Sequence, residues 1–331
     1  MNSHILFPFS EYWLAYLGFT ALIAVFLALD LGVFHREPKP VSFREATLWS
    51  VVWIILALVF NGGLYLYAVK HFSLEVGRQV GLEFLSGYVV ERALSIDNIF
   101  IFAVVFSYFA IPSAYQHRVL FYGIVGAFVF RAIFVALGSV LMQYHWVVIF
   151  FGGLLILTGL KMLLPQSSNQ DLSQNWVLRL MRRWLPVTDK FDRDRFFVRQ
   201  GGVMVATPMF AALAFMEVTD IVFALDSVPA IFALTKEPFL VFTSNVFAIL
   251  GLRAMYFMLA GAMDRFYLLK YGLSAVLIFV GLKMVWLNGL YDGKFPIGLS
   301  LGIITLLLAV PTFLSLLLPK RPELAAESDT P

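Results

Sequence analysis

The chain has 331 residues, of which 60% are hydrophobic and only 14% are charged, and its formal net charge is +3. Soluble domains carry about 25% charged residues, so this composition excludes an ordinary soluble fold and predicts a chain embedded in a lipid bilayer. The absence of cysteine excludes disulfides, thiolate metal sites and thiol redox chemistry. The basic residues stand mainly in loops, which indicates membrane topology and predicts no nucleic-acid partner.

Apolar segments along the chain are long enough to span about 30 Å of hydrocarbon at about 1.5 Å per residue. The first is too long for the core of a signal peptide and predicts a transmembrane helix. The third and sixth are too long for one straight span and contain polar residues, which predicts tilted or broken helices. The fold class is therefore all-α, a polytopic membrane protein with about nine transmembrane helices. The segments cover residues 12–33, 46–69, 80–110, 119–143, 146–164, 203–234, 239–263, 268–287 and 295–318.

The distribution of Lys and Arg predicts that the N-terminus lies outside and the C-terminus inside. With this orientation most basic residues face the cytoplasm, and the outside-facing stretches hold only Lys70, Arg78, Lys236 and Lys294. An excess of basic residues in cytoplasmic loops is the usual determinant of orientation. We interpret the hydrophilic loop over residues 165–200 as a solvated cytoplasmic linker, with a surface that docks a partner protein as the alternative.

Segments three to five recur as segments six to eight. Lys161 follows Arg131 by 30 residues, and Lys283 follows Arg253 by the same 30 residues. Both lysines stand in the sequence Gly-Leu-Lys-Met, and alanine follows both arginines. Because three is an odd number of spans, the two copies enter the membrane from opposite faces. Inverted repeats are typical of secondary transporters, whose ion sites lie near the midplane at the repeat interface.

This repeat divides the chain into five predicted parts. Residues 1–70 form two N-terminal transmembrane helices, and residues 71–164 form the first three-helix unit. Residues 165–200 form the basic cytoplasmic loop, and residues 201–290 form the second three-helix unit. Residues 291–331 form the last transmembrane helix and a cytoplasmic tail.

Two of the predicted helices carry acidic and polar residues at hydrocarbon depth. The sequence Ile-Asp-Asn at 96–98 in the third segment matches Leu-Asp-Ser at 225–227 in the sixth. Charges at this depth cost several kcal/mol unless they are paired or hydrated, so they are candidate functional residues. The candidate metal ligands are Glu91, Asp97, Asn98, Glu217, Asp220, Asp226 and Ser227.

Helical geometry separates the acids of the sixth segment. Glu217 and Asp220 are three residues apart and share a helix face, whereas Asp226 lies on the opposite side of a regular helix from Glu217. Pro229 has no N–H and leaves the carbonyl of Leu225 without its helical partner. We expect the helix to unwind there, which would turn Asp226 toward the other acids and offer the carbonyl as a further ligand.

The chemistry of these candidate ligands favours a hard cation. They supply carboxylate, amide and hydroxyl oxygens, which suit Mn²⁺, Ca²⁺ or Mg²⁺ better than Zn²⁺ or Cu⁺. The five acids among them and three buried arginines, Arg92, Arg131 and Arg253, leave a formal charge of −2, which one divalent cation would neutralise. The alternative is that Arg131 and Arg253 pair with the acids only to hold the bundle together, and the sequence leaves this open.

Met216 and Met209 lie near Glu217, and a thioether ligand would favour Mn²⁺ over Mg²⁺ or Ca²⁺. Ordinary packing is the alternative for both methionines.

Other residues in the apolar segments have a structural interpretation. We expect charged side chains near helix ends to snorkel to the membrane interface. These are Asp30, Glu83, Lys161 and Lys283. Small residues in the fifth segment predict a close approach of helices. These are Gly152, Gly153 and Gly159.

The acidic strings over residues 91–98 and 217–229 resemble the paired signatures of the TerC integral membrane protein family, most closely its alkali-induced, Alx-type members. The resemblance covers roughly residues 10–320. It implies a multi-pass protein of the bacterial inner membrane, in the LysE-like transporter group, that exports Mn²⁺. It also implies that the acids of the two motifs are the metal ligands, with no resident cofactor.

We therefore expect a transporter and not an enzyme, with a divalent cation as substrate and the lipid bilayer as surroundings. The divalent cation follows from the residues, whereas export and Mn²⁺ follow from the resemblance. Proton antiport is a further prediction, because clustered carboxylates disfavour simultaneous ionisation. The alternatives are a metal sensor or an assembly factor without transport. An intramembrane aspartyl protease is disfavoured, because Asp97 and Asp226 lack the usual Gly-x-Gly-Asp context.

Overall fold

A computed structural model describes residues 5–29, 41–164, 188, 195–200, 202–259, 266–291 and 295–318. The described chain is helical apart from one β-hairpin of strands β1 (Phe197–Gln200) and β2 (Val203–Ala206). The helices are α1 (Phe9–Leu29), α2 (Phe43–His71), α3 (Leu74–Tyr108), α4 (Ser113–Leu141), α5 (His145–Leu163), α6 (Pro208–Phe232), α7 (Pro238–Leu250), α8 (Leu252–Leu259), α9 (Leu269–Leu282), α10 (Asn288–Leu290) and α11 (Ile297–Leu317), with a π-helix (Lys283–Leu287) joining α9 to α10.

The prediction of an all-α polytopic membrane protein is confirmed. Eight helical stretches among the described residues are long and apolar enough to cross a membrane, with α7 and α8 counted as one stretch and α9 to α10 as another. The remaining predicted segment is α3, which is 35 residues long and carries the charged residues of the first acidic motif. Each predicted segment therefore contains a helix.

Helix α7 lies at the centre of the bundle. Every residue from Phe239 to Leu250 is buried, and α7 packs against α3 and α4. On its outer side the ring of Phe247 lies 5.7 Å from Phe19 of α1 and 5.0 Å from Phe60 of α2, measured between ring centroids. This aromatic packing separates α7 from the surroundings, so its few polar residues are available only to other helices.

The start of the second three-helix unit differs from the prediction. Residues 203–206 were expected to begin a transmembrane helix but form β2, which pairs antiparallel with β1 through a two-residue connection. Gly202 in this connection has φ +84°, a conformation that favours glycine. Helix α6 then begins with Pro208 in its first turn, where the missing N–H costs nothing. A Gly-Gly pair followed by β-branched residues predicts a β-hairpin. Here this local signal determines the structure of residues 203–206, although their apolar character suggested a transmembrane helix.

The helix breaks also lie elsewhere than predicted. Helices α3 and α6 are continuous, and α6 passes through Pro229 without unwinding, so the expected break at this proline is wrong. The seventh segment is interrupted instead, at Gly251 between α7 and α8. There the Arg92 guanidinium donates to the carbonyl of Ala248 at 3.2 Å, and a side chain inserted into the helical hydrogen-bond ladder is a known cause of such breaks.

Helices α5 and α9 approach closely at small residues, as predicted for Gly152 and Gly159. The Ser274 hydroxyl donates to the carbonyl of Gly159 at 2.5 Å, and a methyl group added to Gly281 would lie 2.6 Å from the carbonyl oxygen of Gly152. The sequence shift that takes Gly159 to Gly281 also takes Gly152 to Ser274, so these two contacts are equivalents. Gly153 has open space around it and does not take part.

Other helix contacts are also converted into one another when the two predicted three-helix units are exchanged. Helix α4 packs against α6, and α3 packs against α7. Exchanging the two predicted three-helix units converts one of these pairs into the other. The helix contacts thus have the pattern expected for units related by an approximate twofold axis.

Two residues that were expected to snorkel are buried instead. Glu83 is 8% exposed and accepts hydrogen bonds from Gln79 at 2.7 Å and from the Thr235 hydroxyl. Lys283 is 2% exposed, and its ammonium lies 6.0 Å from the ring centroid of Phe295. Both side chains have partners inside the bundle, so they do not extend to the membrane interface. Lys161 is exposed as expected, and Asp30 lies outside the described residues.

The α5–α9 contact gives a test of the packing. Gly281→Ala should lower the stability of the protein by about 1–3 kcal/mol, although alanine favours a helix by about 1 kcal/mol over glycine. The added methyl group would lie 2.6 Å from the Gly152 oxygen and 2.7 Å from a side-chain carbon of Ile156. Thermal unfolding of the detergent-solubilised protein measures the change. Gly153→Ala is the matched control and should be neutral or stabilising, and equal melting temperatures for the two variants would contradict the packing described.

Candidate functional site

The Arg131 guanidinium on α4 is the centre of a buried polar cluster. One terminal nitrogen, Nη1, lies 2.5 Å from Glu91 Oε1, 2.8 Å from Ser227 Oγ and 2.7 Å from Asn245 Oδ1. The other, Nη2, lies 3.6 Å from Asp220 Oδ1. The side chains of Arg131, Glu91 and Asp220 are 1%, 1% and 8% exposed. Charged groups from both predicted repeats therefore meet away from solvent.

Helical periodicity places these side chains. On α3, Glu91, Ser95 and Asn98 follow one another at intervals of four and three residues, which puts them on one face, and all three are buried. On α6, Asp220 and Ser227 are two turns apart and are also buried. Both polar faces point toward α4 and α7, which supply the arginine and the amide. Hydrophobic clusters lie on either side of this layer.

Three carboxylate oxygens near the cluster are buried and have no hydrogen-bond partner among the described residues. They are Glu91 Oε2, Asp220 Oδ2 and Glu217 Oε2. Such atoms are uncommon in native proteins and call for an explanation. A cavity of about 20 Å³ is lined by Glu217, Asp220, Met216 and apolar side chains of α3, α4, α7 and α8, whereas Glu91 is not among its lining residues. That volume is enough for one water molecule or one bare cation.

Glu217 has its place because α4 carries a glycine opposite it. A methyl group added to Gly126 would overlap the Glu217 carboxylate. The absent side chain lets the carboxylate enter the space between α4 and α6. This glycine is therefore required by close approach and not by an unusual backbone conformation.

The structure brings together only part of the predicted ligand set. Glu91, Asp220 and Ser227 meet at the arginine, Glu217 lies on the adjoining cavity, and Asn98 is buried on the same face of α3 as Glu91.

Two predicted ligands are not placed in this group. Asp226 stands apart, because α6 remains helical and its carboxylate accepts a hydrogen bond from Thr158 of α5 at 3.4 Å. The expectation that it turns toward the other acids is wrong in this conformation. The side chain of Asp97 lies outside the described residues.

Among the residues whose side chains are described, no three histidine or acidic side chains converge closely enough to hold a metal ion. The carboxylates that do meet are engaged on one oxygen each by Arg131. Arg131 therefore pairs with acids of both motifs. Arg92 instead bonds to a backbone carbonyl, and Arg253 is buried on α8 at 8% exposure.

Two residues of the site were not identified from the sequence. Asn245 is fully buried, accepts from Arg131, and donates to the carbonyl of Val241 at 2.9 Å. Because Asn245 is an amide in the middle of the apolar seventh segment, the sequence alone could have identified it as a candidate site residue. Gly126 gave no such signal, because its role depends on which side chain faces it across the helix interface.

This architecture defines a polytopic α-helical membrane protein with a buried cluster of acids around one arginine at the junction of two helical units. The family model described as "Integral membrane protein TerC family" matches residues 76–323. The chain belongs to the TerC family.

Similar proteins are found in several bacteria. The "Uncharacterized membrane protein STKORF319" of Myxococcus xanthus is 47% identical over 315 residues, which cover 95% of each chain. The "Putative membrane-bound redox modulator Alx" of Escherichia coli (strain K12) is 43% identical over 289 residues, covering 87% of this chain and 89% of the relative. An "Uncharacterized membrane protein" of Rickettsia felis is 38% identical over 272 residues, covering 82% and 88%. No solved structure matches the chain significantly.

The position of Asn245 leads to a stability prediction. Asn245→Leu should lower stability by about 0.5–1.5 kcal/mol, the net value of one hydrogen bond, because Glu91 and Ser227 still accept from Nη1. The measurement is thermal unfolding in detergent. Thr243→Val is the matched control, since Thr243 is also fully buried on α7 but bonds only to carbonyls of its own helix. A control variant as unstable as Asn245→Leu would show that the cluster contributes nothing specific.

Proposed function

We propose that this protein transports a divalent metal cation, most specifically Mn²⁺, out of the cytoplasm across the bacterial inner membrane. One observation carries the proposal. Glu91 of the first repeat and Asp220 of the second meet at Arg131 in a buried cluster, and each keeps one carboxylate oxygen without a partner among the described residues. Asp220 and Glu217 also line a cavity of ionic size. Intramembrane acids with unsatisfied oxygens are expected where a cation must be bound and released.

Charge supports a divalent substrate. Glu91, Asp220 and Glu217 with Arg131 have a formal charge of −2 when all are ionised, which one divalent cation would neutralise. Carboxylate, hydroxyl and amide oxygens favour hard cations. The Met216 side chain lines the same cavity as Glu217 and Asp220, and a thioether there would favour Mn²⁺ over Mg²⁺ or Ca²⁺. Outward transport is the direction suggested by the family resemblance.

Alternating access is the mechanism that suits this architecture. The site lies between two units whose helix contacts exchange with each other, and transporters built from inverted repeats rock one unit against the other around a fixed midplane site. Three neighbouring carboxylates with little water repel one another when ionised together. Arg131 balances only one of these three negative charges, so protons would offset the remaining charge on the cation-free return step, which makes proton antiport part of the proposal. Mn²⁺ flux that ignores an imposed pH gradient would rule the antiport out.

A redox role of the kind named for the Escherichia coli relative would be indirect in this chain. None of its 331 residues is cysteine, so it has no thiol to oxidise. Transport of a redox-active cation would supply such an effect. The alternatives of a metal sensor or an assembly factor require binding without flux, and a flux measurement separates them from a transporter.

The acids of the cluster provide the direct test of transport. Glu91→Gln and Asp220→Asn should each lower Mn²⁺ flux into proteoliposomes by at least about tenfold, since even outer-shell changes at metal sites commonly have that effect. Glu83→Gln is the matched control, because it removes another buried carboxylate of α3 that bonds to Thr235 and Gln79. Wild-type protein that moves no Mn²⁺, Mg²⁺ or Ca²⁺, or equal losses in all three variants, would contradict the proposed site.

Met216 allows a test of ion selectivity. Met216→Leu keeps the volume but removes the sulfur, so discrimination of Mn²⁺ against Mg²⁺ should fall by roughly tenfold, equivalent to about 1.4 kcal/mol. Competition of Mg²⁺ with Mn²⁺ uptake measures this change. Met209→Leu is the control, because Met209 is fully buried on the same helix in an apolar cluster and does not line the cavity. Unchanged competition in Met216→Leu would assign Met216 to packing alone.

A further inference from the structure

We propose that Arg131 acts as a built-in competitor of the transported cation: its guanidinium occupies Glu91 and Asp220 on the ion-free return step and releases them when the cation binds. This inference rests on the proposed function, since it requires a transported cation. It assigns Arg131 a positioning role in the transport cycle, beyond holding the helices together.

The geometry shows why arginine and cation compete. Arg131 contacts one oxygen of Glu91 and one oxygen of Asp220, and those same carboxylates would supply ligands to a bound cation. A divalent ion beside a guanidinium experiences strong repulsion where little water screens the charges. Although each carboxylate keeps one free oxygen, this repulsion disfavours both cations on the two carboxylates at the same time. The described conformation is therefore the one in which arginine provides the positive charge.

The hydrogen bonds of Arg131 permit its release. Nη1 carries two N–H groups, yet three acceptors surround it within 2.8 Å, on Glu91, Ser227 and Asn245. One acceptor is thus in excess. When Glu91 turns to a cation, Ser227 and Asn245 still satisfy both N–H groups. These two neutral acceptors give the guanidinium a resting position that does not depend on the carboxylates.

The consequence concerns the step that carries no cation. Reorienting the protein around a site with bare carboxylates is unfavourable, because buried charge without a partner is strongly penalised. With Arg131 present, Glu91 and Asp220 keep a counter-charge during the return. Without it, the cation-loaded protein can still reorient in both directions, but the cation-free protein returns slowly. Removing the arginine should therefore separate cation exchange from net transport.

The experiment compares these two modes with the full-length protein in liposomes. Exchange is measured with radioactive Mn²⁺ as tracer and equal Mn²⁺ on both sides, and net transport is measured with Mn²⁺ on one side and a chelator on the other. In Arg131→Gln, the ratio of net transport to exchange should fall at least tenfold. The Mn²⁺ concentration that half-saturates exchange should also fall, because the competitor is gone. Arg131→Lys keeps the positive charge and should keep the ratio near that of the wild type.

Arg92→Gln is the matched control. Arg92 is a buried arginine of α3 that donates to the Ala248 carbonyl, so its loss should leave the ratio unchanged. A structural role alone would lower exchange and net transport of Arg131→Gln by the same factor, and that result would overturn the inference. An unchanged ratio in Arg131→Gln would overturn it as well.

A second comparison is available if the Arg131→Gln variant does not fold. The double variant Glu91→Gln/Arg131→Gln loses one negative and one positive charge, and it is compared with the single variant Glu91→Gln. The ratio should again be lower in the double variant, because Asp220 has lost its counter-charge, and equal ratios would overturn the inference. Wild-type protein that moves no cation in either mode would refute the proposed function itself, which distinguishes the two failures.

Discussion

Arg131 joins helices of both predicted repeats in the buried interior of the bundle. Its guanidinium lies 2.5 Å from a Glu91 oxygen and 3.6 Å from an Asp220 oxygen, and all three side chains are nearly inaccessible to solvent. A buried ion pair is often no more stabilising than an apolar core of equal volume, because the loss of hydration offsets the attraction. Stability alone therefore does not explain these charges, whereas the proposed transport of a cation would.

The cluster is asymmetric within a bundle whose helix contacts are nearly symmetric. In the register of the two acidic motifs Glu91 is the counterpart of Asp220, and in the register of the two Gly-Leu-Lys-Met sequences Arg131 is the counterpart of Arg253. Yet Arg131 contacts Glu91 at hydrogen-bond distance and Asp220 only at 3.6 Å. An inverted-repeat carrier must break its symmetry in each end state, because the two states arise when the units exchange conformations. Unequal sharing of a guanidinium is one place where those states would differ.

Hydropathy predicted the helices correctly, because a bilayer allows only continuous apolar helices or closed barrels to cross it. Helical spacing likewise predicted that Glu217 and Asp220 share a face. The hairpin ahead of α6 escaped notice, since its residues are apolar and its Gly-Gly turn is a local signal. The place of Asp226 could not be predicted either. A proline near a helix end allows unwinding but does not require it, and α6 stays helical with Asp226 accepting a hydrogen bond from Thr158 of α5.

Two glycines connect the fold to the charges it contains. Gly126 leaves room for the Glu217 carboxylate, and Gly251 leaves room for the Arg92 guanidinium, since an added methyl group would overlap either side chain. Neither glycine has a positive φ, so both serve close approach. Departures from ideal helical packing thus concentrate around buried charge, as expected where function and not stability determines the residue. Under the proposed transport function the unpartnered carboxylate oxygens have the same explanation, because oxygens that bind and release an ion cannot be committed to permanent hydrogen bonds.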